Sequence, residues 1–118
     1  MHSYRFLIRS DFPYAIRQAI RRAASGDAAL GERAVKCMNL YRAVICRAIA
    51  DALEKTGLED RGEHRTAVRE AREFFHDGGE WFEFVFLNSG IDASLILPYM
   101  LVLDPAEPPA PRSQREKV

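Results

Sequence analysis

Glu73 and His76 sit in a Glu-x-x-His spacing that places a carboxylate and an imidazole on one helical face, the arrangement used by di-iron carboxylate bundles. Such a site needs a second copy of the motif and further glutamates from other helices. The chain has one copy, and its remaining histidines, His2 and His64, fall in a terminal arm and a loop. No metal site is therefore expected. Nucleophilic chemistry has no better basis. Cys37 and Cys46 lie in the apolar stripe of a long helical segment, where a thiol is inert packing. Their nine-residue separation turns about 900° around a helix axis, so they face opposite sides and do not pair. No Gly-x-Ser-x-Gly, phosphate-cradling loop or Gly-x-Gly-x-x-Gly is present. With no catalytic residue, cofactor or small-molecule substrate in view, the expectation is a protein that is not an enzyme.

The charged and aromatic residues point to binding. Arg17, Arg21 and Arg22 form a basic group on a first helix, which Arg5 and Arg9 can join. A nucleic acid would use such a group through its phosphates; otherwise it is a solvated face, or it pairs with the acidic C-terminal part. Between Gly79 and Asp104 there is no lysine or arginine at all, and the only charges are four carboxylates. Val85, Gly90, Ile91 and Ile96 in this segment have the spacing of a helix-turn-helix. The position that such a motif keeps small is Phe86, and the helix that would read bases, ASLILPYM, contains Pro98 and no Arg, Lys, Asn or Gln. The segment thus reads as packing or partner contact. Six of the twelve aromatic residues, Phe74, Phe75, Trp81, Phe82, Phe84 and Phe86, fall within thirteen positions. Apolar residues surround the short helix that carries four of them, so it is either central to the core or shared with another chain. Trp81, Phe82, Phe86 and Tyr99 are the expected interface residues.

The elements that position these groups are helical. Residues 1–10 alternate loosely, as a short strand or extended arm. Ser10 or Asp11 can cap a first helix that runs through YAIRQAIRRAAS to Gly26, with Ile16, Ala19, Ile20 and Ala23 inward. No proline or internal glycine interrupts the segment from Gly31 to Thr56. Its stripe of Ala34, Met38, Tyr41, Ile45, Ala48 and Leu53, widened by Cys37, Leu40, Val44 and Ile49, suits a central helix stopped by Gly57. Residues 63–77 form a third helix with Ala67, Val68, Ala71, Phe74 and Phe75 inward and Arg65, Arg69, Glu70, Arg72 and Glu73 outward. Gly78-Gly79 ends it. A fourth helix follows, Ser89-Gly90 turns the chain, and Asp92 caps a fifth. The expected architecture is all-α: one compact domain over residues 1–103, with four to five helices around a long central one and a helix-turn-helix-like pair at its C-terminal end. Residues 104–118 form a proline-rich, polar, flexible tail.

Composition sets the outer limits. The 118 residues suffice for one modest core, and 47% hydrophobic with 29% charged residues is ordinary for a soluble globular domain. Lys+Arg and Asp+Glu both number 17, and a zero balance argues against coating nucleic acid by charge alone. Free thiols, the lack of a signal-peptide run at the start, and a longest apolar stretch, Leu95 to Leu103, well short of the roughly 20 residues of a membrane span lead to a soluble, cytoplasmic protein.

The segments NLYRAVICRAIADA, REAREFF and WFEFVFLNSGID together resemble small helical proteins carried by phages and prophages of proteobacteria. That set shares an N-L-x-R-A-V-I helix, an E-A-R-x-W/F helix and a D/E-F-x-x-V-x-x-x-A/S-G-I/L-D ending, matched here over roughly residues 39–92. The resemblance implies a phage or mobile-element context and carries over no catalytic or binding residue. The basic residues that follow G-I/L-D in the set are replaced here by SLILPYMLVL. The combined expectation is an interaction protein that binds itself, a host protein or a host defence complex through the apolar C-terminal segment. The alternative is a small DNA-binding transcriptional regulator using Arg17, Arg21 and Arg22.

Overall fold

The computed structural model describes residues 8–106, which form five α-helices and one 3-10 turn, with no strand among them. The helices are α1 (Tyr14–Ala24), α2 (Glu32–Ala52), α3 (Arg61–Asp77), α4 (Glu80–Ser89) and α5 (Ala93–Met100), and the 3-10 turn is Asp27–Ala29. Residues 1–7 of the expected arm, with His2 and Arg5, and residues 107–118 of the expected tail lie outside the described residues. The fold is all-α, as expected. α2 is the central helix, packed on α3 and α4, while α5 closes against α1 and α3. Ile16 and Ile20 of α1, Ile45 and Ile49 of α2, Phe75 of α3, Val85 and Phe86 of α4, and Ile96 and Met100 of α5 meet in one core.

Local signals explain most boundaries. Asp60 accepts the Glu63 N–H at 2.9 Å and starts α3. Gly78 and Gly79 both take positive φ, which separates α3 from α4 with two residues. Asp92 accepts the Ser94 N–H at 3.0 Å and starts α5. Pro98 removes one ladder donor inside α5, and the helix continues for only two residues beyond it.

Two boundaries differ from expectation. α1 begins after Pro13 with no side-chain cap, because Asp11 is engaged elsewhere. Its carboxylate accepts from Arg9 Nε at 3.0 Å and lies 3.4 Å from Lys55 Nζ beyond the end of α2. The hydrogen bond from Arg9 is the main reason its pKa falls to about 2. α2 ends at Ala52, before the expected stop at Gly57. The Glu54 N–H bonds Asp51 O at 3.0 Å and the Lys55 N–H bonds Ala50 O at 2.8 Å, a Schellman closure. Its left-handed position is occupied by Glu54, with φ 67°, where a glycine is usual. A contact from Glu54 Oε2 to Arg72 Nη2 at 3.6 Å accompanies that conformation.

Two buried arginines tie the helices together. Arg42 is fully buried on α2. Its Nε donates to Ser89 O at 2.8 Å, at the end of α4. Its Nη1 and Nη2 grip both oxygens of Asp27 at 2.6 and 3.0 Å. The remaining donors reach Asn39 Oδ1 at 3.1 Å and Ala23 O at 3.3 Å. All five guanidinium N–H groups are thereby used, which is the condition for burying a charge without a large penalty. Arg72, expected on the outer face of α3, is instead buried. It donates to Ala52 O and Asp104 O, each at 3.1 Å, and so binds the end of α2 and the chain beyond α5 to α3. Arg42→Met strands the Asp27 carboxylate and the carbonyls of Ala23 and Ser89. It is expected to cost about 3–5 kcal/mol in urea unfolding, against about 0.5 kcal/mol or less for an exposed arginine such as Arg65.

Candidate interaction surface

α4 is apolar nearly all round, and the fold uses only half of it. Phe82, Val85, Phe86 and Ser89 turn inward. Phe82 and Phe86, with ring centroids 4.6 Å apart, meet Phe74 and Phe75 of α3. Ser89 is buried because its hydroxyl closes the turn: Oγ donates to Phe86 O at 2.8 Å and accepts the Ile91 N–H at 3.0 Å. Gly90 follows in the left-handed region, with φ 76°, and a Cβ there would meet Met38 Cε at 3.0 Å and Arg42 Nη2 at 3.7 Å. Val85, Ile91 and Ile96, the apolar anchors of the helix-turn-helix spacing, are all buried. The turn is therefore shaped around Arg42.

The other half of α4 faces outward. Trp81 is 57% exposed and Leu87 82% exposed, with Phe84 between them. The Trp81 and Phe84 rings stack with centroids 6.0 Å apart, and Phe84 meets Tyr41 of α2 edge-on at 5.4 Å. On α2, Leu40 is 68% exposed, and Val44 lies one turn further along the same side. Leu40 and Val44 of α2 and Trp81, Phe84 and Leu87 of α4 are thus exposed on two helices that meet at the Tyr41–Phe84 contact. Leu40 and Val44 were expected to widen the buried stripe of α2. They remain exposed because the neighbours of α2 cover only one side of it.

The expected interface residues divide between the two sides. Trp81 belongs to the outer face, and Phe82 is half-buried against α3. Phe86 is 5% exposed and belongs to the core, a correction that follows from α4 leaning on Phe74 of α3. Tyr99 is exposed near the end of α5, where Leu101 and Val102 are exposed as well. Leu87 and Leu40 were not singled out, although Leu87 lies one turn from Phe84 and away from Val85 on a helical projection.

Among the basic residues, Arg21 and Arg22 are exposed, while Arg17 is half-buried with its guanidinium 5.6 Å from the Tyr14 ring centroid. The carboxyl pKa of Asp92 is lowered chiefly by the Ser94 hydroxyl, then by the Ser94 N–H, with a smaller contribution from Arg22. The helix expected to lack base-reading chemistry, α5, buries Ile96 and Met100 against the rest of the domain.

Both described histidines have hydrogen-bond partners. His76 Nε2 donates to Leu103 O at 2.7 Å, so that nitrogen carries a proton. His64 Nδ1 is 2.7 Å from Thr56 Oγ1. No group of three or more His, Cys, Asp or Glu that could hold a metal ion occurs among the described residues. Cys37 is exposed, contrary to its expected place in the stripe, whereas Cys46 is buried and its thiol is pushed up to about 12 by that burial. No described helix is long and apolar enough to cross a membrane.

Two measurements check these placements. A thiol reagent near neutral pH should modify Cys37 in the folded chain and reach Cys46 only after unfolding. Phe86→Ala should cost about 3–5 kcal/mol of stability, whereas Leu87→Lys should stay within about 0.5 kcal/mol of wild type. Similar losses for both would place Leu87 in the core. No protein-family model, curated protein or solved structure matches the chain.

Proposed function

We propose that the chain is a non-enzymatic interaction protein whose docking surface is the apolar face formed by α2 and α4. One observation carries the reading: Trp81, Phe84 and Leu87 stand exposed on α4, which meets α2 through Phe84 and Tyr41, and α2 exposes Leu40 and Val44. Contiguous apolar surface of this kind is scarce on a soluble monomer and marks contact sites. Tryptophan is also among the side chains that dominate binding energy at interface centres. A phage or prophage origin rests on the resemblance of residues 39–92, and a cytoplasmic setting on the two free thiols.

The residues that carry that resemblance have structural work in the fold. Asn39 and Arg42 belong to the N-L-x-R-A-V-I helix, Arg72 to the E-A-R helix, and Ser89, Gly90 and Asp92 to the ending. Arg42 bonds Asn39 and Ser89, Arg72 holds the end of α2, and Asp92 caps α5. The motif also contains Leu40 and Val44 of the outer face, while Phe84 and Leu87 of α4 fall at its variable positions and are free to choose the partner.

A small DNA-binding regulator is the second reading, favoured by the exposure of Arg21 and Arg22 on α1. It requires affinity that falls steeply with salt and is reduced by Arg21→Ala with Arg22→Ala.

A photo-crosslinking side chain at position 87, compared with one at the exposed position 65 on α3, tests the interaction reading in cells that express the chain. Discrete protein adducts from position 87 and none from position 65 are expected. An absence of protein adducts from position 87 overturns the reading.

A further inference from the structure

We infer that the outer side of α4 takes a basic amphipathic helix of another protein, one that sets lysine or arginine beside its own apolar stripe. The inference rests on the docking surface proposed above and names the chemistry of its partner.

The composition of the exposed side is the first argument. The exposed residues of α4 are Glu80, Trp81, Glu83, Phe84 and Leu87. Three of these are apolar, two are carboxylates and none is a cation. No lysine or arginine occurs anywhere between Gly79 and Asp104. Several acids elsewhere have a cation close by: Glu73 lies 3.7 Å from Arg69, Glu32 3.9 Å from Lys36 and Asp11 3.4 Å from Lys55. Glu80 and Glu83 form no ion pair among the described residues. Both stand in the first turn of α4, where a carboxylate also suits the helix dipole. That role does not account for the exposed rings beside them.

Spacing is the second argument. Trp81, Phe84 and Leu87 recur every three residues, which lays an apolar stripe about 9 Å long over two turns of α4. Glu80 and Glu83 each precede one of the two rings, so the carboxylates run along one edge of that stripe. A second helix docks on such a stripe through its own apolar residues at three- and four-residue steps. Cations flanking those residues then meet Glu80 and Glu83. A guanidinium or ammonium group can also lie over the Trp81 ring, which stays 57% exposed although it stacks on Phe84. An acidic helix meets like charge along the same edge, and the same carboxylates disfavour nucleic acid and anionic lipid on this side.

The chain has a single tryptophan, so its fluorescence reports on this surface alone. Two synthetic helical peptides of about 18 residues serve as probes. Each has one leucine stripe, flanked in the first by lysine and arginine and in the second by glutamate at the same positions. The basic peptide should shift the Trp81 emission to shorter wavelength and saturate below about 1 mM, and the acidic peptide should leave it unchanged. Glu80→Gln with Glu83→Gln should weaken binding of the basic peptide roughly tenfold and flatten its salt dependence, at unchanged helical circular dichroism. Equal shifts from both peptides overturn the inference, as does a double glutamine variant that binds like wild type, or no shift from the basic peptide up to about 1 mM. A peptide-free emission that moves to longer wavelength on dilution also overturns it, since a second copy then covers Trp81. In each of these cases, discrete adducts from position 87 would keep the docking surface and remove only the basic helix assigned to it.

Discussion

Arg42 is the constraint on which the rest of the structure depends. A guanidinium buried at the centre of a five-helix domain must have every N–H satisfied, and those partners come from four separate places in the chain. Ala23 lies in the last turn of α1, Asp27 opens the 3-10 turn, Asn39 lies one turn back on α2, and Ser89 ends α4. Satisfying one side chain therefore fixes the α1–α2 connection and the end of α4 at once. The tight turn at Ser89 and Gly90 follows from the same demand, since the carbonyl of Ser89 must point at Arg42 and a Cβ at position 90 would press on Met38. Arg72 does the equivalent at the other end of α2, joining Ala52 to Asp104.

Fixing α4 at its C-terminal end also decides which of its apolar residues are buried. With Ser89 held inward, helical periodicity sends Phe82, Val85 and Phe86 to the core and Trp81, Phe84 and Leu87 outward. The exposed face thus arises from the same geometry that stabilises the fold. A domain of this size has few layers with which to surround a helix that is apolar on all sides, so some of that surface remains open to a partner.

Much of the fold was legible in the sequence because it rests on short-range rules. Asp92, Gly78-Gly79 and the long uninterrupted run of α2 announced their elements through capping, backbone freedom and hydrophobic period. What escaped depends on distant partners. Asp11 did not cap α1 because Arg9 and Lys55 claim it, and α2 closed on Glu54 where Gly57 was the local signal. Arg72 was expected on the outer face of its helix, and Arg42 was not singled out. Their positions said otherwise, since Arg42 lies seven residues from both Val35 and Ile49, and Arg72 lies between Val68 and Phe75 on the inner stripe. Of the expected interface residues, Trp81 stands exposed and Phe86 is buried, because residue type alone cannot assign sides to a helix that is apolar all round.

The central claim is that the Arg42–Asp27 fork couples the α1–α2 connection to the core. A double-mutant cycle with Asp27→Ala, Arg42→Met and the combined variant, followed by urea unfolding, measures that coupling directly. The account predicts strong non-additivity, about 2–3 kcal/mol, with the double variant more stable than the sum of the single losses implies. Additivity within about 0.5 kcal/mol would contradict it, because the two residues would then contribute independently and the buried arginine would not be the joint of the fold.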